Sequence, residues 1–298
     1  MRTILLTLAL LVLPQSIGAQ SVAETVWSDL RTAPGDLLYV WSAPARVRGD
    51  DVPPLLVFVA ATGFIALNDL EIQRWVRQHP ESLPVAALEP FRDEHDGLSR
   101  LGQNHWVLRG AGAGYVIGLA TGQEWLRESS LGCAVDNTAN ALPRKAVYSL
   151  ISRTRPAGTD DPYDIDVPGG GWDVHSFFGG HAANAFTCAS FLAHRWDMGW
   201  GEPIVWALAT GVATARTIDE RHWASDTFVG SAFGFFAGRL IAQRQLERVG
   251  RERTHTREIE APAPAPAEPG ALHLEALTAT PIRLGEASAW LVGARVVF

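Results

Sequence analysis

The sequence predicts an all-α domain, a bundle of packed helices, followed by a short β-hairpin-like tail. Apolar residues recur at helical spacing in successive segments, without alternating strand patterns between them. Glycines gather inside several of these segments (Gly110, Gly112, Gly114 and Gly118 in one), where they permit close helix packing. Gly/Asp/Pro-rich text separates the helical stretches, and a Pro/Ala run sets the last segment apart.

In chain order, Arg2, the apolar run at 4–13 and the small residues at 16–19 read as an export signal, with cleavage expected near Ala19-Gln20. An uncleaved anchor is the other reading, although the run is short of the roughly 20 residues needed to span. Residues 24–48 have helical spacing, with Trp27, Leu30, Leu37, Leu38, Val40 and Trp41 as buried candidates. Pro53-Pro54 opens an apolar helix through Leu67. Residues 106–119 and 124–151 follow, the latter with Leu126, Leu131, Val135, Ala139, Leu142, Val147 and Leu150 as its apolar face. Pro143 is expected to kink or divide this helix, and Arg155-Pro156 to end it.

A loop at 157–180 carries Asp160, Asp161, Asp164 and Asp166 before Gly169-Gly170-Gly171; it lacks the ligand order of a calcium loop and reads as a solvated turn. Helices are expected at 181–196, 203–215 and 222–248. The domains are thus a signal at 1–19, a helical domain at 20–248, an extended linker at 249–270 and a tail at 271–298, read as a small hairpin. The apolar segments at 55–67, 107–119, 204–215 and 227–242 fall below the roughly 17–25 residues of a spanning helix. That length favours core helices, while Trp-rich ends and Gly-rich faces suit contact with a bilayer.

Composition narrows the function. With 47% hydrophobic and 19% charged residues the chain is not disordered, and a net charge of −7 offers no footprint for nucleic acid. Cys133 and Cys188 are too few for a disulfide scaffold or zinc cluster, and nothing in the sequence decides whether they pair.

Three stretches carry chemistry: 152–156 (Ser-Arg-Thr-Arg-Pro), 176–186 around Gly179-Gly180-His181, and 215–226 from Ala215-Arg216 to Asp226. Arg155 and Arg216 present planar forks that match phosphate oxygens. Gly179 and Gly180 let the backbone approach an anion at a helix start, where His181 also sits. His222 and Asp226, four apart, would share a helix face, so that the carboxylate holds one imidazole N–H and leaves the other nitrogen as a nucleophile. Two Arg, a backbone nest and two His are what metal-independent phosphoryl transfer needs. His181, His222 and Asp226 could also ligate zinc, but no further ligand has suggestive spacing.

At these residues the chain resembles the type-2 phosphatidic acid phosphatase superfamily, which includes vanadium haloperoxidases and bacterial periplasmic acid phosphatases. That family's pattern is Lys, six residues, Arg-Pro; then Pro-Ser-Gly-His; then Ser-Arg, five residues, His, three residues, Asp. From Arg216 onward the third motif fits, and the resemblance covers roughly residues 50–245. It implies a helical bundle of the acid phosphatase/vanadium haloperoxidase type. It also implies that Arg155, Arg216 and the Gly180 N–H bind phosphoryl oxygens, His181 protonates the leaving oxygen, His222 becomes a phosphohistidine, and Asp226 orients it. The chain departs from the pattern at Tyr148 (family Lys), Phe178 and Gly179 (Pro, Ser) and Ala215 (Ser). Lys145 and Arg153 are the candidates for the missing charge. His175, Trp172 and Phe177 either line an entrance or pack.

The expectation is therefore an exported phosphatase for phosphomonoesters or diphosphates, with lipid phosphates favoured, no cofactor, and a membrane surface as partner. The alternatives are a vanadate-dependent haloperoxidase, with His222 as the vanadate ligand, and a non-catalytic phospholipid-binding envelope protein.

Overall fold

In a computed structural model, the residues described are 19–92, 97–167, 175–260, 273–284 and 287–297. The export-signal reading (up to residue 18), Trp172, the Gly169–Gly171 run and the Pro/Ala run fall outside them. The chain divides into two units, Met1–Arg248 and Val249–Phe298.

The first unit is helical, as the periodicity predicts. Its helices are α1 (Ala19–Trp41), α2 (Val52–Leu67), α3 (Asp69–Gln78), the single turn α4 (Leu83–Ala86), α5 (Asn104–Thr121), α6 (Glu124–Leu150), α7 (Gly180–Arg195), α8 (Gly201–Ile218) and α9 (Ala224–Glu260). Between α6 and α7, β1 (Ser152–Arg153) pairs antiparallel with β2 (Ile165–Asp166). In the second unit, β3 (His273–Leu284) and β4 (Ala287–Val297) form an antiparallel hairpin with a register shift between Leu274 and Ala276.

One core gathers Val40 of α1, Val135 and Ala139 of α6, Phe191 of α7, and Ala237, Ile241 and Ala242 of α9. A second lies between α7 (Ala185, Ala189) and α8 (Ala209, Val212). Cys133 and Cys188 form a disulfide that ties α6 to α7, with Cα atoms 4.8 Å apart. The closest packing follows from glycine. Gly230, Gly234 and Gly238 recur every four residues on α9, and a Cβ on them would strike the carbonyl oxygens of Gly179, Ala183 and Thr187 on α7. Their backbones therefore run in contact over two turns, and this contact fixes the height of the α7 N-terminus relative to the start of α9.

Several details differ from the sequence expectations. Pro143 does not divide α6. Its missing N–H leaves the Ala139 carbonyl without its helical donor, and Trp41 Nε1 of α1 donates to that oxygen at 3.0 Å. Helix α6 ends at Leu150, ahead of Arg155-Pro156. Leu142 and Leu150 are exposed, while Ser129, Asp136, Asn137 and Asn140 are buried, because α6 faces the bundle with a polar stripe. Asn140 Nδ2, for example, donates to Thr187 Oγ1 at 2.7 Å. On α1 only Val40 of the six candidates is fully buried; Leu37 and Trp41 pack partly, and Trp27, Leu30 and Leu38 are exposed. Residues 249–260 continue α9 instead of forming an extended linker; Arg and Glu, good helix formers, make up half of them, and the first Ala-Pro pair follows.

The most consequential difference concerns α2. The stretch at 49–67 is long and apolar enough to cross a membrane, and none of it is buried. Val57, Phe64 and Leu67 are each at least 70% exposed, so this helix is no core element of the first unit.

Candidate active site

The site is built where three chain segments meet at the N-terminus of α7: the loop after α6, the turn 175–179, and the tight connection between α8 and α9. Arg216 lies on the last turn of α8 and is buried. The carbonyl of Arg216 accepts the backbone N–H groups of Arg221 (3.0 Å) and His222 (3.2 Å). This turn, with Glu220 at φ 56°, aims His222 back toward α7.

His222 is buried and precedes α9 instead of sharing a helix face with Asp226. Its Nδ1–H donates to the Ser176 carbonyl at 2.6 Å, which leaves the Nε2 lone pair as the free ring atom. The expected partner, Asp226, does not hold His222. At the first turn of α9, Asp226 accepts from the Trp223 backbone N–H (3.1 Å), from Arg153 Nη1 (2.5 Å) and from the Ser176 hydroxyl. Ser176 also donates its backbone N–H to the Arg153 carbonyl at 2.8 Å. All three polar groups of Ser176 are thus engaged, and Asp226 orients the imidazole through it.

Arg153 is likewise displaced from its expected part. Its Nε donates to the Pro162 carbonyl (2.8 Å), Nη1 also to Ser225 Oγ (2.9 Å), and Nη2 to Asp69 Oδ2 (2.8 Å). Asp69 in turn accepts the Ser225 backbone N–H at 2.9 Å and its hydroxyl at 2.5 Å. Arg153 is therefore a buried clamp between α3 and α9, not a phosphate ligand. Asp69 escaped the sequence reading because it lies far from the other members in the chain, and Ser176, which opens the 176–186 stretch, was given no role there.

Gly179 also changes role. Its N–H donates to the Asp226 carbonyl at 3.0 Å, so it fastens α7 to α9. The N–H groups of Gly180 and His181, in the first turn of α7, have no intrahelical acceptor and point out of the helix end. Arg155 is half-buried, and its Nε donates to the His175 carbonyl at 3.2 Å. Lys145 is exposed. Tyr148 lies in the site wall, its ring stacked on His175 at 4.5 Å and its hydroxyl donating to the Phe178 carbonyl at 3.4 Å. His175 is buried, with Nδ1 3.2 Å from Ser152 Oγ, so it packs.

The electrostatics follow from this convergence of cations. His181 is pushed down to about 3 by burial, and further by Arg216, Arg144, Arg155 and Arg221. Burial, then Arg216 and His181, holds His222 well below the usual imidazole range, opposed by its bond to Ser176. The two rings thus sit within each other's field beside Arg216 and Arg155. Burial raises the Asp226 carboxyl, with Arg153 and Ser176 pulling it back. Among the described residues, no group of three or more His, Cys, Asp or Glu could hold a metal ion.

This arrangement, an imidazole with a free Nε2 and a second imidazole beside guanidinium groups and open N–H groups, has the donors and charge that suit an oxyanion. Residues 139–249, which carry all of it except Asp69, match the PAP2 superfamily model. In this stretch the chain is similar to that superfamily. It is also 28% identical over 152 residues to a lipid A 1-phosphatase of Porphyromonas gingivalis. That match takes in 50% of this chain and 30% of the relative, so the chain spans about a third of that protein's length. No solved structure matches the chain.

A pH dependence follows for this site. Both histidines bind protons less readily folded than unfolded, where the pKa is about 6.5. Their contribution to stability is complete above that value and is lost as pH falls; for His181 the loss runs down to about 3, by up to about 1.4 kcal/mol per pH unit. Urea midpoints should therefore drop between pH 7 and pH 4.5, with a shallower drop in His181→Asn. Inorganic phosphate at a hundred times its dissociation constant should restore about 2.7 kcal/mol. Equal slopes for wild type and His181→Asn would count against the buried, cation-ringed imidazole.

Proposed function

We propose that this protein is an exported, metal-independent phosphatase that hydrolyses lipid phosphomonoesters or diphosphates through a phosphohistidine on His222. The observation that carries the reading is the convergence of His222 and His181 with Arg155 and Arg216 at the α7 N-terminus. The phosphoryl oxygens bind the two guanidinium groups and the Gly180 and His181 N–H groups. His222 Nε2 attacks phosphorus while the bond to the leaving oxygen breaks, and His181, in its protonated form, gives that oxygen its proton. Water then attacks phosphorus, His181 takes one of its protons, the P–N bond breaks, and phosphate leaves with His222 restored. A His181 pushed down to about 3 is almost wholly deprotonated near neutral pH in the empty site and has no proton to give. A bound phosphate dianion offsets the surrounding cations and raises its proton affinity, so the acid is readied by its own substrate.

Lipid as the substrate class is supported by the name of the Porphyromonas relative and by the unburied apolar α2, which suits contact with a bilayer. Export is supported by the Cys133–Cys188 disulfide, a bond of oxidising compartments. The test is phosphate release by the full chain from a lipid phosphomonoester in detergent micelles containing EDTA. Turnover is expected to persist in the chelator and to exceed that on the water-soluble headgroup phosphate. Activity that vanishes in EDTA and returns with a divalent metal would overturn the reading.

A further inference from the structure

The family's lysine is absent, since Tyr148 stands in its place, and neither sequence candidate replaces it: Lys145 is exposed and Arg153 is committed to Asp69 and Asp226. Arg144 occupies the vacated region. It lies one helical turn before Tyr148, on the same face of α6. Its guanidinium passes directly over the Cα of Gly180; a Cβ there would lie 3.0 Å from Cζ and 3.1 Å from Cδ of Arg144, and closer still to Nη1. The absence of a side chain at 180 is thus what lets a guanidinium reach the α7 N-terminus. Among the described residues no hydrogen bond or ion pair engages that guanidinium. It is half-buried beside the open N–H groups, and its charge acts on His181 and Tyr148.

We propose that Arg144 is a phosphate-binding residue of this site, supplying from one turn earlier on α6 the cation that Tyr148 cannot. The assignment rests on the phosphatase reading for its substrate, but not for its anion. A guanidinium stays charged at every working pH and offers a planar fork, so it grips two oxygens of a phosphoryl group where an ammonium offers a point charge. Tyr148, one turn further along α6, is stacked on His175 and donates its hydroxyl to the Phe178 carbonyl, so it is itself committed to the wall of the site.

Binding of inorganic phosphate by the full-length protein, measured calorimetrically, tests this together with His181 titration followed by NMR. Arg144→Ala should weaken phosphate binding about tenfold or more and raise the His181 pKa, with the fold intact by circular dichroism. Arg144→Lys should recover part of both effects, and Lys145→Ala should match the wild type. If Arg144→Ala binds phosphate as the wild type does and His181 titrates unchanged, the assignment is wrong, whatever the turnover. If the wild type binds phosphate through Arg144 yet releases none from lipid phosphates, the hydrolase reading fails and the anion site stands. A wild type that binds no phosphate overturns both.

Discussion

Replacing His222 with alanine is expected to end phosphate release, with a fall in kcat of roughly 10⁴-fold or more, as for nucleophiles that act within a concerted set. The substitution removes the ring nitrogen that the Ser176 bond leaves free beside Arg216, while the guanidinium groups and the α7 N-terminus stay in place. Phosphate affinity should therefore change much less than turnover. The Ser176 carbonyl loses its donor, at a cost of about 1–3 kcal/mol, which leaves the domain folded. Quenched in alkali, the wild type should retain phosphoryl label on protein during turnover and lose it on acidification, as a P–N bond does; His222→Ala should retain none. His181→Asn should behave differently. Its loss should be large for alkyl phosphates, whose leaving oxygen needs a proton, and small for a nitrophenyl phosphate, whose does not. Sustained turnover by His222→Ala would remove the phosphohistidine from the mechanism.

The chemistry was legible in the sequence where it depends on local order. Arg216, His222 and Asp226 keep fixed spacings because one turn and one helix start carry all three, and Gly180-His181 marks a helix opening in any fold. Charge that crosses between segments was not legible. Lys145 and Arg144 are adjacent and both basic, and only the rotation of α6 decides that Arg144 faces Gly180 while its neighbour faces solvent. Arg153 sits two residues from Arg155, but it belongs to β1, both of whose residues are buried, and its guanidinium meets Asp69 from 84 residues away. The spacing of His222 and Asp226 was read as a helical pair; the helix begins two residues later, so the carboxylate meets Ser176 instead. Helix α2 shows the same limit at the level of the fold. Its composition fits both a core helix and a lipid-facing one, and only the absence of any buried residue separates them.

That buried clamp leads to the second large effect. Arg153 and its two carboxylates are almost wholly removed from water, with side-chain exposures of 8% for Arg153 and 0% for Asp69 and Asp226. Arg153→Ala would strand two carboxylates without a cation, a change that typically costs about 3–5 kcal/mol. Urea denaturation at pH 7.5 should show that loss. The sign of its pH dependence also follows. Burial raises the Asp226 carboxyl and Arg153 opposes that rise, so without the guanidinium the folded state holds a proton on Asp226 more tightly than the unfolded chain does, and acidification favours the folded variant relative to the wild type. The gap between them should therefore narrow as pH falls from 7.5 to 5. Because Asp226 seats Ser176, and Ser176 seats His222, kcat should fall as well, while affinity for inorganic phosphate stays near that of the wild type. Arg155→Ala should show the converse, weak phosphate binding with a smaller loss of stability, since this residue is half-exposed. An Arg153→Ala variant as stable as the wild type but deficient in phosphate binding would return this residue to the phosphate site and dissolve the clamp.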